Sequence, residues 1–456
     1  MSVFWILFTL LSAITILLIL VMRFRLSAFI ALLLVSIYAG IMAGMPLNEL
    51  VTSIQEGMGS TLGFVALVVG LGAIFGQLLE LSGGARSLAL YLVRQLGEKN
   101  ASWAMMVTGF IIAIPVFFDV GLIILVPILY ALSRNTGRSL LYFGIPLLAG
   151  LAVTHSFIPP TPGPVAVAEI INVPLGWVII FGFMIGPPVA ILAGPVFGKY
   201  ISSKIRIAPP EHEAMKSADE QNTQISDISF RLIVLLIGFP LLLIVLNTSL
   251  TTLIKSGRLE EALIWNILIF IGHPIVALII ANLLAYYFLG IRRGFAKEVL
   301  LKLSTKSLGP AGIIILITGA GGVLKQVLVN SGMGSVVAQT VIDLNLSPIF
   351  LGWLLAGLIR VIQGSATVAM ITAAGLIAPA LDILGTGDIH RALIVLAIAS
   401  GATILSHVND SGFWLVGQYF GLSEKQTLQS WTIMETLIAL GGLLFCLVAG
   451  RLVNLF

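Results

Sequence analysis

The chain has 456 residues, 58% of them hydrophobic and 10% charged, where an ordinary soluble protein carries about 25% charged residues. That balance excludes a soluble domain, and the small surplus of 24 Lys and Arg over 20 Asp and Glu lies in short clusters, which argues against nucleic acid as a partner. One cysteine, Cys446, sits in the last apolar segment, so an intrachain disulfide framework and a thiolate metal cluster are excluded and no redox role is implied.

The charge-free runs set the class. Between Arg138 and Lys199 the only charged residue is Glu169, and residues 262–291 carry none. Both runs exceed the roughly 20 apolar residues that cross a bilayer as a helix. A lipid-exposed strand would leave backbone groups unpaired and these runs lack barrel-type alternation, so the spanning elements are helices. The fold class read from the sequence is an all-α polytopic membrane protein.

In chain order, the first span is 3–22, which lacks the charged leader and small-residue cleavage site of a removable signal and reads as a retained helix. Spans follow at 26–45 and 61–81, then an interrupted block at 101–133, then 140–171 and 173–198. Residues 201–229 are polar, contain Pro209 and Pro210, and form the linker. Beyond it lie spans at 231–254, 263–290 and 309–330, a second interrupted block at 348–380, and spans at 390–420 and 430–453. His273, in a Gly-His-Pro sequence, marks a helix start.

Short cytoplasmic loops gather Lys and Arg. Arg23 and Arg25 mark one such loop, and Arg292, Arg293, Lys297, Lys302 and Lys306 another. The span at 61–81 then runs outside to inside and the span at 309–330 inside to outside. These opposed spans resemble each other: 70–83 reads GLGAIFGQLLELSG and 319–332 reads GAGGVLKQVLVNSG. At a shift of 249 they share Gly70/Gly319, Gly72/Gly321, Gln77/Gln326, Leu79/Leu328, Ser82/Ser331 and Gly83/Gly332. Glycine-rich composition alone produces some likeness, but the paired Gln and Ser-Gly are not generic, and inverted repeats are a transporter signature.

The block at 101–133 has basic residues on both flanks (Arg86, Arg94, Lys99; Arg134, Arg138), so it enters and leaves on the cytoplasmic side as a re-entrant hairpin. Its counterpart at 348–380 enters from outside. The expected architecture is two inverted repeats, each with a re-entrant hairpin and a broken helix, with about ten crossing helices plus two hairpins and both termini outside. The units are scaffold helices at 1–60, a first repeat at 61–200, a cytoplasmic linker at 201–230, scaffold helices at 231–308 and a second repeat at 309–456.

Irregular backbone at membrane depth is tolerated where it lines a cavity. Four stretches qualify: 117–121 (FFDVG), 154–164 (THSFIPPTPGP), 363–367 (QGSAT) and 406–412 (SHVNDSG). Four prolines between 159 and 164 must break the helix. Half-helix N-termini beside such breaks suit an anion. Asp119, His155, His407 and Asp410 fall inside these breaks, and intramembrane ionisable groups are functional candidates by default. Each has a plainer reading: the histidines as core residues bonded to backbone, Asp119 as a helix cap, Asp410 as the side chain of an Asx turn. Arg360, one turn before the second tip, reads equally as a partner for a substrate carboxylate or for Asp119 or Asp410. Lys325, Glu80 and Glu435 lie near span ends and read as snorkelling side chains. Glu169 is ambiguous.

No Walker loop, GxSxG, HExxH or Cys/His set occurs, so neither a catalytic site nor a metal or cofactor is expected. Without a nucleotide site, transport would draw on an ion gradient. Protons suit Asp and His; sodium held by backbone carbonyls at the breaks stays open.

At the same stretches the sequence resembles the gluconate:proton symporter (gluconate permease) family of bacterial inner-membrane carriers. The likeness is carried by GMGSTLGF (57–64), FFDVG, THSFIPPTPGP, GAGGVLKQVLVNSG, QGSATVA (363–369) and SHVNDSGFWLV (406–416), in order along nearly the whole chain. The resemblance implies uptake of gluconate or a similar sugar acid with protons, and the wider superfamily's scaffold and elevator-like transport domains imply a homodimer. The chain departs from the pattern at Thr161, where many gluconate carriers have His, and at Asp119, where many have Glu. Glycerate or a four-carbon sugar acid therefore stands beside gluconate as the substrate, and a passive channel is the alternative mechanism. The expected substrate-binding residues are Thr161, Gln363, Gly364, Ser365, Thr367, Asn409 and Arg360; those expected to couple the ion are Asp119, His155, His407 and Asp410. The partners expected are a small carboxylate, protons and the lipid bilayer.

Overall fold

The computed structural model describes residues 3–209, 228–343 and 346–453. Most of the polar linker and the placement expected for the two termini lie outside the described residues. The regular elements among them are all helices, and nine are long and apolar enough to cross a membrane, or ten if one sharply bent pair counts as a single span.

Two helices organise the rest. Leu47–Leu81 and Lys297–Asn330 have 35 and 34 residues and pack against each other. Both start well before the expected 61 and 309, because Glu49, Glu56, Lys302 and Lys306 stand exposed on helical turns rather than ending them. Charge stops a bilayer span; it does not stop a helix. The pair crosses where Gly57 meets Gly322: a Cβ on Gly57 would stand 2.7 Å from the Gly322 carbonyl oxygen, and one on Gly322 would stand 2.6 Å from the Gly57 oxygen. Small residues at such crossings let backbones touch, and packing replaces the hydrophobic effect that lipid cannot supply.

The two long helices end alike. Ser82 donates to Leu79 O and Ser331 to Leu328 O, and each is followed by a left-handed glycine, Gly83 (φ 74°) and Gly332 (φ 72°). The elements beyond keep the same order. Helices starting at 84, 101, 118, 141, 162 and 175 are answered by helices starting at 333, 348, 366, 388, 411 and 424, at separations of 247 to 249 residues.

The first interrupted block is two helices, Ala101–Ile112 and Phe118–Thr136, joined by a bend at 113–117. Both its ends lie beside the ends of the linker. On the entering side, Ser87 accepts from Ile228 N (3.3 Å) and Tyr91 stacks on Phe230 (4.3 Å between ring centroids). On the leaving side, Ser139 donates to Ile205 O and accepts from Ile207 N, both at 3.1 Å. The counterpart pair, Pro348–Gln363 and Ala366–Ile383, turns at Gly364 and Ser365.

Both following spans break. Leu141–Phe157 stops at Ile158, and Pro162–Ile171 resumes with proline at its first position, where its missing N–H costs nothing. Asp388–Gly401 is followed by irregular chain up to Asp410, the N-cap of Ser411–Phe420. Arg391 ties the two broken spans together, donating to Ile171 O (2.5 Å) while pairing with Asp382 (2.8 Å). His273 caps Pro274–Ala285, so the span expected at 263–290 is itself interrupted there.

Candidate functional site

A cavity of about 600 Å³ opens where the first tip, the second tip and the second break meet. It falls within the roughly 300 to 1,000 Å³ of small-molecule sites. Helices starting at Phe118, Ala366 and Ser411 all present their first residues to it, so three helix N-terminal ends converge on one space. That is the electrostatic setting of an anion site.

Its charged framework is a buried network. Arg360, 3% exposed in the last turn of Pro348–Gln363, donates through Nη2 to Asp410 Oδ2 at 2.5 Å and through Nη1 to the Gly364 carbonyl oxygen. Asp410 also accepts from Ser406 Oγ (2.5 Å) and, through Oδ1, from Gly412 N (3.2 Å). Ser406 Oγ in turn accepts from Trp431 Nε1 (2.6 Å). Of the readings open for Arg360 and Asp410, the structure shows them paired with each other, and Asp410 also closes the Asx turn. Arg360 Nε is buried without a hydrogen-bond partner among the described residues.

Gly364 is required where it stands. Its φ is +90° and a Cβ would fall 2.2 Å from the Asn409 carbonyl oxygen, so the tip and the break touch backbone to backbone. Asn409 completes the junction, donating from Nδ2 to Val361 O (3.0 Å).

Of the sequence-predicted residues, Asp119, His155, Arg360, Gln363, Gly364, Ser365, Thr367, Asn409 and Asp410 line the cavity. Ser365 caps its helix, accepting from Val368 N (3.4 Å). His155 lies edge-on to Phe117, and its Nδ1, like Gln363 Oε1, is buried without a partner among the described residues. Two others lie elsewhere. Thr161 is buried, donates to Ile158 O (2.6 Å) and lines a small gap beneath the first tip with Gly72 and Pro115. The His407 ring bonds through Nδ1 to Leu405 O (2.8 Å), away from the lining.

One ionisable lining residue was missed. Glu435, read as a snorkelling side chain, is 4% exposed and lines the cavity beside Thr403 and Trp431. The span that carries it starts at Glu424, not 430, which places Glu435 roughly three turns inside the helix. Charge in an apolar segment was the available signal, and the misplaced span start hid it.

Discontinuous helices whose ends meet at a polar cavity within a bundle of spanning helices define a membrane transporter. The sequence profile of the GntP family permeases matches residues 5–453, and the chain belongs to that family. Among its relatives, the gluconate permease of Pseudomonas aeruginosa is 41% identical over 95% of this chain and 94% of its own length. The Gnt-II system L-idonate transporter of Escherichia coli is 38% identical over 95% and 96%. The fold is similar to that of the YdaH transporter of Alcanivorax borkumensis, with a TM-score of 0.63 at 17% identity, covering 90% of this chain and 89% of that one.

Proposed function

We propose that the chain is a secondary active transporter of the bacterial inner membrane that imports gluconate or a closely related sugar acid together with protons. The observation that carries this reading is the convergence of three helix N-termini, the Ser365 and Thr367 hydroxyls and the Arg360 guanidinium on one cavity in a gluconate permease relative. The substrate carboxylate meets the backbone N–H groups at Phe118, Ala366 and Ser411 and the unbonded edge of Arg360, while Gln363 and Asn409 bond its hydroxyls. Asp119 and His155, which also line the cavity, carry coupling protons.

The matched order of elements at separations of 247 to 249 residues supports an inverted-repeat reading, with the Leu47–Leu81 and Lys297–Asn330 pair as scaffold and the tips and breaks as the moving unit of an elevator in a homodimer. Gluconate and idonate carriers match this chain at nearly the same identity, so the hexonate class is proposed rather than one epimer. Uptake of labelled gluconate into cells expressing the chain, competed with unlabelled idonate, glycerate and four-carbon sugar acids, tests the class. Inhibition by idonate alone among the competitors is expected; stronger inhibition by glycerate would move the substrate to shorter acids.

A further inference from the structure

The charges that line the cavity do not balance. Among the described residues they are Arg360 against Asp119, Asp410 and Glu435, and Arg360 is already engaged by Asp410. With every carboxyl ionised, the space holds an excess of two negative charges before any anion enters. A sugar-acid carboxylate would make three. Like charges gathered around one cavity within a membrane protein repel, and protons that neutralise some of them relieve that repulsion.

The carboxyls differ in what surrounds them. Asp410 is held by Arg360, Ser406 and the Gly412 N–H. Asp119 faces the open cavity. Glu435 is buried, and among the described residues no hydrogen bond or ion pair reaches its carboxylate. Arg360 and Asp410 are the charged groups acting on it. The other elements packed around its helix add few titratable groups: His155 from Leu141–Phe157, and none from Leu175–Ile191. Those at the start of Asp388–Gly401 lie where Arg391 bonds Thr386 and Leu381, at the far end of that helix from Thr403.

The Glu435 turn is also stitched to the second break. Thr403 Oγ1 donates to the Glu435 carbonyl oxygen (3.2 Å), Leu405 N donates to Thr436 Oγ1 (3.3 Å), and Thr432 Oγ1 donates to Ser406 O. The hydroxyl of this same residue, Ser406, donates to Asp410. The turn that carries Glu435 is thereby bonded to the segment that lines the cavity.

We propose that Glu435 is a proton-binding residue of the transport cycle, which takes up a proton when the anionic substrate enters the cavity and releases it when the substrate leaves. The proposal rests on the sugar-acid reading above. As the carboxylic acid, Glu435 adds no repulsion and offers an O–H donor to the substrate; as the carboxylate, it opposes anion entry. Proton and substrate are thereby bound together or not at all.

Calorimetry of gluconate binding to the purified full chain, in two buffers of different ionisation enthalpy, counts the protons taken up per substrate. The wild type is expected to take up at least one proton, and Glu435→Gln about one fewer, whether Asp119 or Asn stands at position 119. Undiminished proton uptake in a Glu435→Gln protein that still binds gluconate would overturn the proposal. Should Glu435→Gln fail to fold or bind, Glu435→Asp, which keeps the carboxyl but withdraws it by one methylene, must move the pH dependence of gluconate affinity; an unmoved profile would overturn it equally. A wild type that binds gluconate without proton uptake also overturns it. A wild type that binds no gluconate or idonate instead defeats the substrate reading, and the count is then made on the acid that competition uptake identifies.

Discussion

Arg360 and Asp410, fifty residues apart, form a 2.5 Å ion pair that joins the end of the helix leading into the second tip to the start of the helix leaving the second break. Arg360 also bonds the Gly364 carbonyl, and Asp410 bonds Ser406 and Gly412, so one charge pair fixes the backbone of both irregular segments. Irregular backbone at this depth lacks a ladder to satisfy it, and the pair supplies the missing partners.

Removing one member leaves the other charge buried and unpaired, at a cost of about 3 to 5 kcal/mol. Arg360→Gln and Asp410→Asn are each expected to lower the melting temperature in detergent well below that of the wild type. The doubly apolar variant, Arg360→Met with Asp410→Leu, is expected to regain much of that stability but not gluconate uptake. Full uptake by the double variant would show that Arg360 serves structure alone.

Gly364→Ala puts a Cβ on a left-handed residue against the Asn409 carbonyl oxygen at 2.2 Å. Backbone strain alone costs about 1 to 3 kcal/mol, and the contact forces tip and break apart. Gluconate affinity should fall at least tenfold while Gly385→Ala, whose Cβ would meet open space at a similar φ of +61°, changes affinity far less. Binding measured by calorimetry on both variants checks the difference.

The two histidines separate by position. His155 lines the cavity against Phe117, whereas His407 bonds its own loop at Leu405 O. His155→Gln is expected to reduce uptake several-fold more than His407→Gln at equal expression. Equal losses would mean that His407 reaches the substrate path in another conformation.

Much of this arrangement could be read from the residues. The Gly70/Gly319 to Gly83/Gly332 correspondence reappears as two helices with the same Ser-Gly ending, because a left-handed residue after a helix selects glycine in both places. The proline cluster predicted the break at 158–161, since Pro159 and Pro160 cannot continue the helix that ends at Phe157, while Pro162 opens the next one. The tips were legible because Asp119 and the QGSAT polar run are too costly in lipid to be there without purpose. Helix starts were not legible: exposed charges on Leu47–Leu81 and Lys297–Asn330, and the polar turn at 424–429, suit helix as well as loop. Glu435 was lost with one of those starts. The partner of Arg360 was also beyond the sequence, because its two candidates, Asp119 and Asp410, lie on different chain segments and only the fold chooses between them.

Asp119 stands in the first turn of its helix and opens to the cavity without joining the Arg360 network. Asp119→Asn should therefore spare expression and melting temperature yet reduce proton-driven accumulation by at least tenfold. Unchanged accumulation against a gradient would remove Asp119 from the coupling path.

The central claim is that entry of a sugar acid is tied to entry of protons. It is tested most directly by measuring labelled gluconate in proteoliposomes containing the purified chain, with and without an imposed inward proton gradient. The account predicts transient accumulation above the external concentration only when the proton gradient is present, abolished by a protonophore. Gluconate that merely equilibrates, at the same rate with and without the proton gradient, would contradict it.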